Sequence, residues 1–119
     1  MARLAVQGDR IVLHLSRLER IGGMIGGDIA APLDAVAAVR VASNPSPELR
    51  GIRSPGTGWP GVIALGHRRA KGVHDFAAVY HNRPAVVIEL DGQRFDRLVV
   101  SCDDPEAVAA EISAAIPTQ

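Results

Sequence analysis

Apolar residues recur with a period of two along most of this chain. Ile11, Leu13 and Leu15 alternate with Val12, His14 and Ser16; Phe76, Ala78 and Tyr80 with Asp75, Ala77 and Val79; Val86, Ile88 and Leu90 with Val87 and Glu89. Successive side chains of a strand point to opposite faces, so this pattern predicts strands that each bury one face. Gly8-Asp9 and Asp91-Gly92 separate such runs. Both read as tight hairpins, because Gly and Asp tolerate the positive φ of two-residue turns. About seven strands are predicted, at 3–7, 10–16, 33–42, 62–69, 73–81, 85–91 and 94–102.

The period changes after residue 103. Asp104 can cap a helix with Pro105 at its first position, where a missing N–H costs nothing. Glu106 lies at the positive end of the helix dipole. Val108, Ile112, Ala115 and Ile116 recur at helical spacing and form one apolar stripe, and Pro117 ends it. The predicted fold class is therefore mostly β with one C-terminal α-helix, in a single domain over residues 1–119.

The chain can build a core without disulfides or metals, since 47% of its 119 residues are hydrophobic. Only Trp59, Phe76, Tyr80 and Phe95 are aromatic, so aliphatic side chains must fill most of the interior. The lone Cys102 excludes an intrachain disulfide and suits a reducing cytoplasm, the expected location. The first residues show no secretory pattern, and no stretch approaches the roughly 18 apolar residues of a membrane span.

Two connections are long. Residues 17–32 suggest a short helical turn and then a glycine-rich bend. Residues 43–61 hold four prolines and four glycines, which forbid a regular helix and disfavour a central strand. A loop of that length in a compact domain is often functional, so Arg50, Arg53 and Trp59 are candidate interaction residues.

Net charge is zero but unevenly spread. Residues 40–83 carry seven bases against two acids, a net of +5; residues 84–119 carry seven acids against two bases, a net of −5. The two segments can pair within the fold, pair neighbouring copies, or offer the middle to an anion. The densest basic cluster is His67, Arg68, Arg69, Lys71 and His74 at a predicted hairpin tip. Such a cluster can hold a phosphate, an acidic peptide or an anionic membrane surface, or serve as a solvated turn that keeps sheet edges apart. Nucleic acid is not expected, because the chain has no overall basic excess and few aromatics for stacking.

Catalytic and cofactor motifs fail on context. Gly56-Thr-Gly58-Trp-Pro-Gly61 matches G-x-G-x-x-G, but a proline-rich segment precedes it and a strand pattern follows, so it reads as a structural turn. His14, His67, His74, His81 and Cys102 lack metal-ligand spacing. Ser101-Cys102-Asp103 lacks the glycines of a nucleophile elbow. No enzyme activity, cofactor or metal is expected.

Three stretches carry a family resemblance: Asp28-Ile-Ala-Ala-Pro-Leu-Asp-Ala-Val36, Gly51-Ile-Arg-Ser-Pro-Gly-Thr-Gly-Trp-Pro-Gly-Val-Ile63 and Leu98-Val-Val-Ser-Cys-Asp-Asp-Pro-Glu-Ala107. They resemble a family of short bacterial, mainly actinobacterial, proteins with a pleckstrin-homology-like (PH-like) fold. The resemblance spans nearly the whole chain. It implies a PH-like barrel of about seven antiparallel strands in two orthogonal sheets capped by the helix. The family has no assigned catalytic residues. PH-like domains bind phosphoinositides, peptides or protein partners, and some bacterial ones assemble into rings. Phosphoinositide binding in the better-known branch uses a basic loop between the first two strands. Here that turn is Gln7-Gly8-Asp9-Arg10, with one base and one acid. The expected function is thus a non-catalytic module for protein–protein interaction or self-assembly, with anion or anionic-membrane binding by the 67–74 turn as the alternative.

Overall fold

The computed structural model describes residues 2–23, 25–59, 63–81 and 83–117, without the side chains of 52–63. Among them the order is β1 (Arg3–Gln7), β2 (Arg10–His14), α1 (Arg17–Gly23), β3 (Ile29–Pro32), β4 (Val36–Ala42), β5 (Ile52–Trp59), β6 (Ile63–Ala70), β7 (Val73–Tyr80), β8 (Ala85–Leu90), β9 (Arg97–Ser101) and α2 (Pro105–Ala115). The chain is mostly β, with two sheets and a C-terminal helix. β1-β2-β3 form one sheet; the other runs β4-β8-β9-β7-β6-β5.

Three expectations about strand number, direction and closure need correction. There are nine strands among the described residues rather than seven. They are not all antiparallel, because β9 lies parallel to β7, with Phe76 opposite Leu98 and Ala78 opposite Val100. The described strands form two separate sheets and no closed barrel.

The parallel pair arises because β9 inserts between β7 and β8, strands that a four-residue connection joins in sequence. That connection crosses the end of β9. The buried Ser101 hydroxyl holds it there, accepting from Tyr80 N at 3.2 Å and donating to the Arg83 carbonyl at 3.3 Å. Cys102 N donates to the Pro84 carbonyl at 3.3 Å. The expected tight hairpin at Asp91-Gly92 is instead a six-residue loop, 91–96, before β9 starts at Arg97. Phe95 lies in that loop and is buried.

Insertion of β9 buries the central strands on both faces, where alternation alone suggested one. Phe76, Ala78, Val86, Ile88, Leu98 and Val100 join the main core with Leu4, Ile11 and Leu13 of the small sheet and with Ala109 and Ile112 of α2. Ala77, Val79, Ala85, Val87 and Val99 point the other way and form a second cluster with Leu49. A strand buried on both faces reads as a continuous apolar run, as Ala85-Val-Val-Ile88 does. α2 begins as the sequence predicts: the Asp104 side chain accepts from Ala107 N at 3.2 Å, and Pro105 occupies the first turn. The helix packs on β4, β8 and β1, touching both sheets.

The Pro/Gly-rich segment is only half loop. Residues 43–51 cross the second face of the large sheet, with Pro45 fully buried. Residues 52–59 then form β5, which the proline and glycine content argued against. Proline is tolerated in a strand at a sheet edge or a bulge, and β5 is an edge strand whose register with β6 shifts between Arg53 and Gly56, around Pro55. The expected structural turn at Gly56–Gly61 is likewise strand through Trp59; residues 60–62 lie outside the described residues.

Gly51 makes this return possible. Its φ is +71°, and a Cβ there would meet the Arg69 carbonyl oxygen at 2.2 Å. Gly72, in the β6–β7 turn, has φ +73° but open space around it. Gly72→Ala should cost about 1 kcal/mol, from left-handed strain alone. Gly51→Ala adds a backbone clash and should cost about 3 kcal/mol or more. Urea unfolding of both variants compares them; equal costs would show that this approach is not tight.

Candidate functional site

The 67–74 hairpin forms as its sequence predicts, with Ala70 opposite Val73 and Arg69 opposite His74. Its side chains do not converge on one outward-facing cradle. His67 is only 2% exposed. Its Nδ1 lies 2.8 Å from His74 Nε2, and the two rings stack with centroids 5.0 Å apart. Phe76 meets His67 edge-on, and Phe95 packs against both imidazoles. Arg68 is committed inward: its guanidinium donates to the Arg50 carbonyl at 3.2 Å and the Gly51 carbonyl at 2.8 Å. Arg69 and Lys71 are exposed at the tip.

Arg50, a candidate interaction residue, makes a bidentate pair with Asp75 instead, at 2.8 Å to each carboxylate oxygen. Asp75 is 2% exposed, and the charge-assisted bonds raise the Arg50 pKa further. Arg97 extends this network, donating to Glu89 and to the Glu48 carbonyl, while Arg40 reaches Glu48 and Glu89. Burial pulls the Glu89 carboxyl upward, but Arg97, Arg40 and Arg50 together outweigh it and leave the group below its ordinary value. Segment 43–51 is thereby tied to the sheet by charge as well as by Pro45 and Leu49. Arg53 and Trp59 lie on β5, whose side chains are outside the described residues. The charge asymmetry is partly spent inside the fold, since Arg40–Glu89 and Arg83–Asp103 join the basic middle to the acidic end.

The least expected surface is α1. It begins with Ser16-Arg-Leu-Glu19, a capping box: Ser16 N donates to Glu19 Oε1 at 2.9 Å, and Glu19 N donates to Ser16 Oγ at 3.2 Å. The S-x-x-E spacing was legible in the sequence and is the signal that would have located this helix. Glu19 is only 5% exposed. Its other oxygen accepts from the Tyr80 hydroxyl. Burial raises the Glu19 carboxyl, yet the Ser16 amide and the Tyr80 hydroxyl outweigh it and hold it below its ordinary value. Burial, and then Glu19 itself, push the Tyr80 phenol well above its usual range. Gly23, one turn after Glu19, sits where a Cβ would be 3.2 Å from the Phe76 ring. The opposite side of this short helix presents Leu18 and Ile21, 80% and 67% exposed.

Asp28 closes the base of the α1 excursion. It accepts from Leu15 N and the Arg20 guanidinium, both at 2.9 Å, and contacts His14 Nδ1 at 3.0 Å. The far His14 nitrogen meets the Gln7 amide at 3.0 Å. If the Gln7 amide donates, as its nitrogen must, His14 carries its proton on Nδ1 toward Asp28. The Leu15 amide, with Arg20 and His14, holds the Asp28 carboxyl at about 2.

No three His, Cys, Asp or Glu side chains are placed to hold a metal among the described residues. Burial raises the Cys102 thiol, which makes it a poor nucleophile. No described helix is long and apolar enough to cross a membrane. No family model matches the chain, and no curated protein or solved structure is similar enough to count as a match.

Two expectations follow. Arg50→Ala strands a buried carboxylate and should lower stability by about 3 kcal/mol in urea unfolding; combined with Asp75→Ala, the total should fall short of the sum of the single effects. Between pH 3.8 and about 2 the unfolded chain binds a proton at Asp28 that the folded chain does not. The stabilisation from Asp28 is therefore complete above that window and lost as pH falls through it. Asp28→Asn should flatten this part of an acid-unfolding profile followed by circular dichroism.

Proposed function

We propose that this chain is a non-catalytic interaction module that associates with copies of itself through the outer face of α1. The observation that carries the reading is the pair Leu18 and Ile21, one helical step of three apart and largely exposed. Single exposed apolar residues are ordinary. Here two lie together on a helix that a capping box, the Tyr80–Glu19 bond and the Asp28 clamp hold against the sheet. A pre-ordered apolar face loses little conformational entropy on association.

The proposal keeps the interaction role expected of a PH-like module and moves its surface. Kinship with the short bacterial PH-like family rests on the three sequence stretches, and a two-sheet domain with a C-terminal helix agrees with it in outline. The parallel β7–β9 pair departs from an all-antiparallel barrel. Anion or membrane binding by the 67–74 turn has less support, because Arg68 serves the backbone and His67 is buried.

Light scattering after size exclusion, over a range of protein concentrations, tests self-association. The wild type should form a dimer or larger species that persists in high salt, since its contact is apolar. Leu18→Glu with Ile21→Glu should return it to monomer without loss of fold, both side chains being exposed. A wild type that stays monomeric at millimolar concentration would overturn the reading.

A further inference from the structure

We propose that the His67–His74 pair is an acid-sensitive latch that holds the 91–96 loop against the large sheet. The 2.8 Å contact between His67 Nδ1 and His74 Nε2 requires one hydrogen between them, one ring donating and the other accepting. An imidazolium carries a proton on both nitrogens. Two imidazolium rings would therefore face donor to donor, and the bond is lost. Phe76 packs edge-on against His67, Phe95 packs against both rings, and His67 itself is buried, so two like charges there would be poorly solvated.

The latch engages the loop at three points. His74 N donates to Asp96 Oδ2 at 2.8 Å, and Asp96 N donates to the His74 carbonyl at 2.8 Å. Between them, Phe95 inserts against both imidazoles, with its ring centroid 4.7 Å from that of His74. Arg94 covers the outer side of Phe95, its guanidinium 5.0 Å from the ring centroid. The same loop forms one wall of a groove of about 370 Å³, opposite residues 25–31. Both Arg94 and Asp28 line that groove, so it points to no single ligand class; the histidine pair, which packs against Phe95 of its wall, carries the inference.

The charges facing His74 favour its neutral form at neutral pH. Burial opposes protonation most, followed by Arg69 from β6, His67 and Arg94 from the loop; Asp96 alone pulls the other way. Asp75, next along β7, is already neutralised by Arg50, and Arg68 points to backbone carbonyls. His74 therefore titrates below its ordinary value when latched and near that value when released. Release takes up a proton, so latching is strongest above about pH 6.5 and weakens as pH falls.

Hydrogen exchange followed by mass spectrometry, corrected for intrinsic rates, reads this directly between pH 7.5 and 5. Protection in 91–96 should fall below pH 6.5 by up to about tenfold per pH unit, the limiting slope of one proton taken up, while protection in β8 and β9 holds. His67→Phe with His74→Phe removes both titrating rings and should make loop protection independent of pH. Should that variant fail to fold, NMR titration of the histidine rings in the wild type decides. Latching requires at least one ring to titrate below 6.5, in step with shifts of residues 93–96. Unchanged loop protection down to pH 5, loss shared equally by the whole chain, or two rings titrating at the ordinary value would each overturn the proposal.

Discussion

Burial of β7, β9 and β8 on both faces is the constraint on which the rest of the structure depends. One face is covered by the small sheet and α2, the other by segment 43–51. A three-stranded cover, a helix and a proline-rich strap are all needed because the central strands carry no solvent face. Their side chains also explain the thinness of the second cluster. Ala77, Ala85 and Val99 are small, so a loop holding Pro45 and Leu49 suffices to exclude water.

Such a core makes every buried polar group costly unless it is paired. Four polar residues are buried among those described: Glu19, His67, Asp75 and Ser101. Each has a partner, and for Glu19, Asp75 and Ser101 that partner lies in an element distant in sequence. Glu19 ties α1 to the end of β7 through Tyr80, and Asp75 ties β7 to the strap through Arg50. Ser101 ties β9 to the β7–β8 connection, and His67 ties β6 to the start of β7. These bonds set where the excursions lie more than how much the fold is stabilised. They also explain why residues read as surface functional groups turn out to be structural. Arg50, Arg68 and His67 lie in the basic middle of the chain, yet the fold uses each to satisfy a carboxylate, a carbonyl or another imidazole.

Two features face outward: the outer side of α1, with Leu18 and Ile21, and the tip of the β6–β7 hairpin, with Arg69 and Lys71. The apolar pair is the better basis for a stable contact, because exposed ion pairs at a surface turn contribute little.

Local chemistry was legible in the sequence. The capped C-terminal helix, the Gly8-Asp9 hairpin, the 67–74 hairpin and the existence of β8 all follow from residues within a few positions of one another. Even α1 was announced by its S-x-x-E spacing. Strand order was not legible, because the insertion of β9 between β7 and β8 depends on contacts between segments about twenty residues apart, and alternation does not specify a neighbour. β5 was hidden for a related reason: proline and glycine argue against a strand only if it is central, and only the tertiary structure shows that β5 is an edge. The candidate site divides along the same line. The sequence by itself determined that histidines and cations would meet at one turn. The tertiary structure decided what they meet: β7 supplies an imidazole to the buried His67, and segment 43–51, folded back over the sheet, supplies two carbonyls to Arg68.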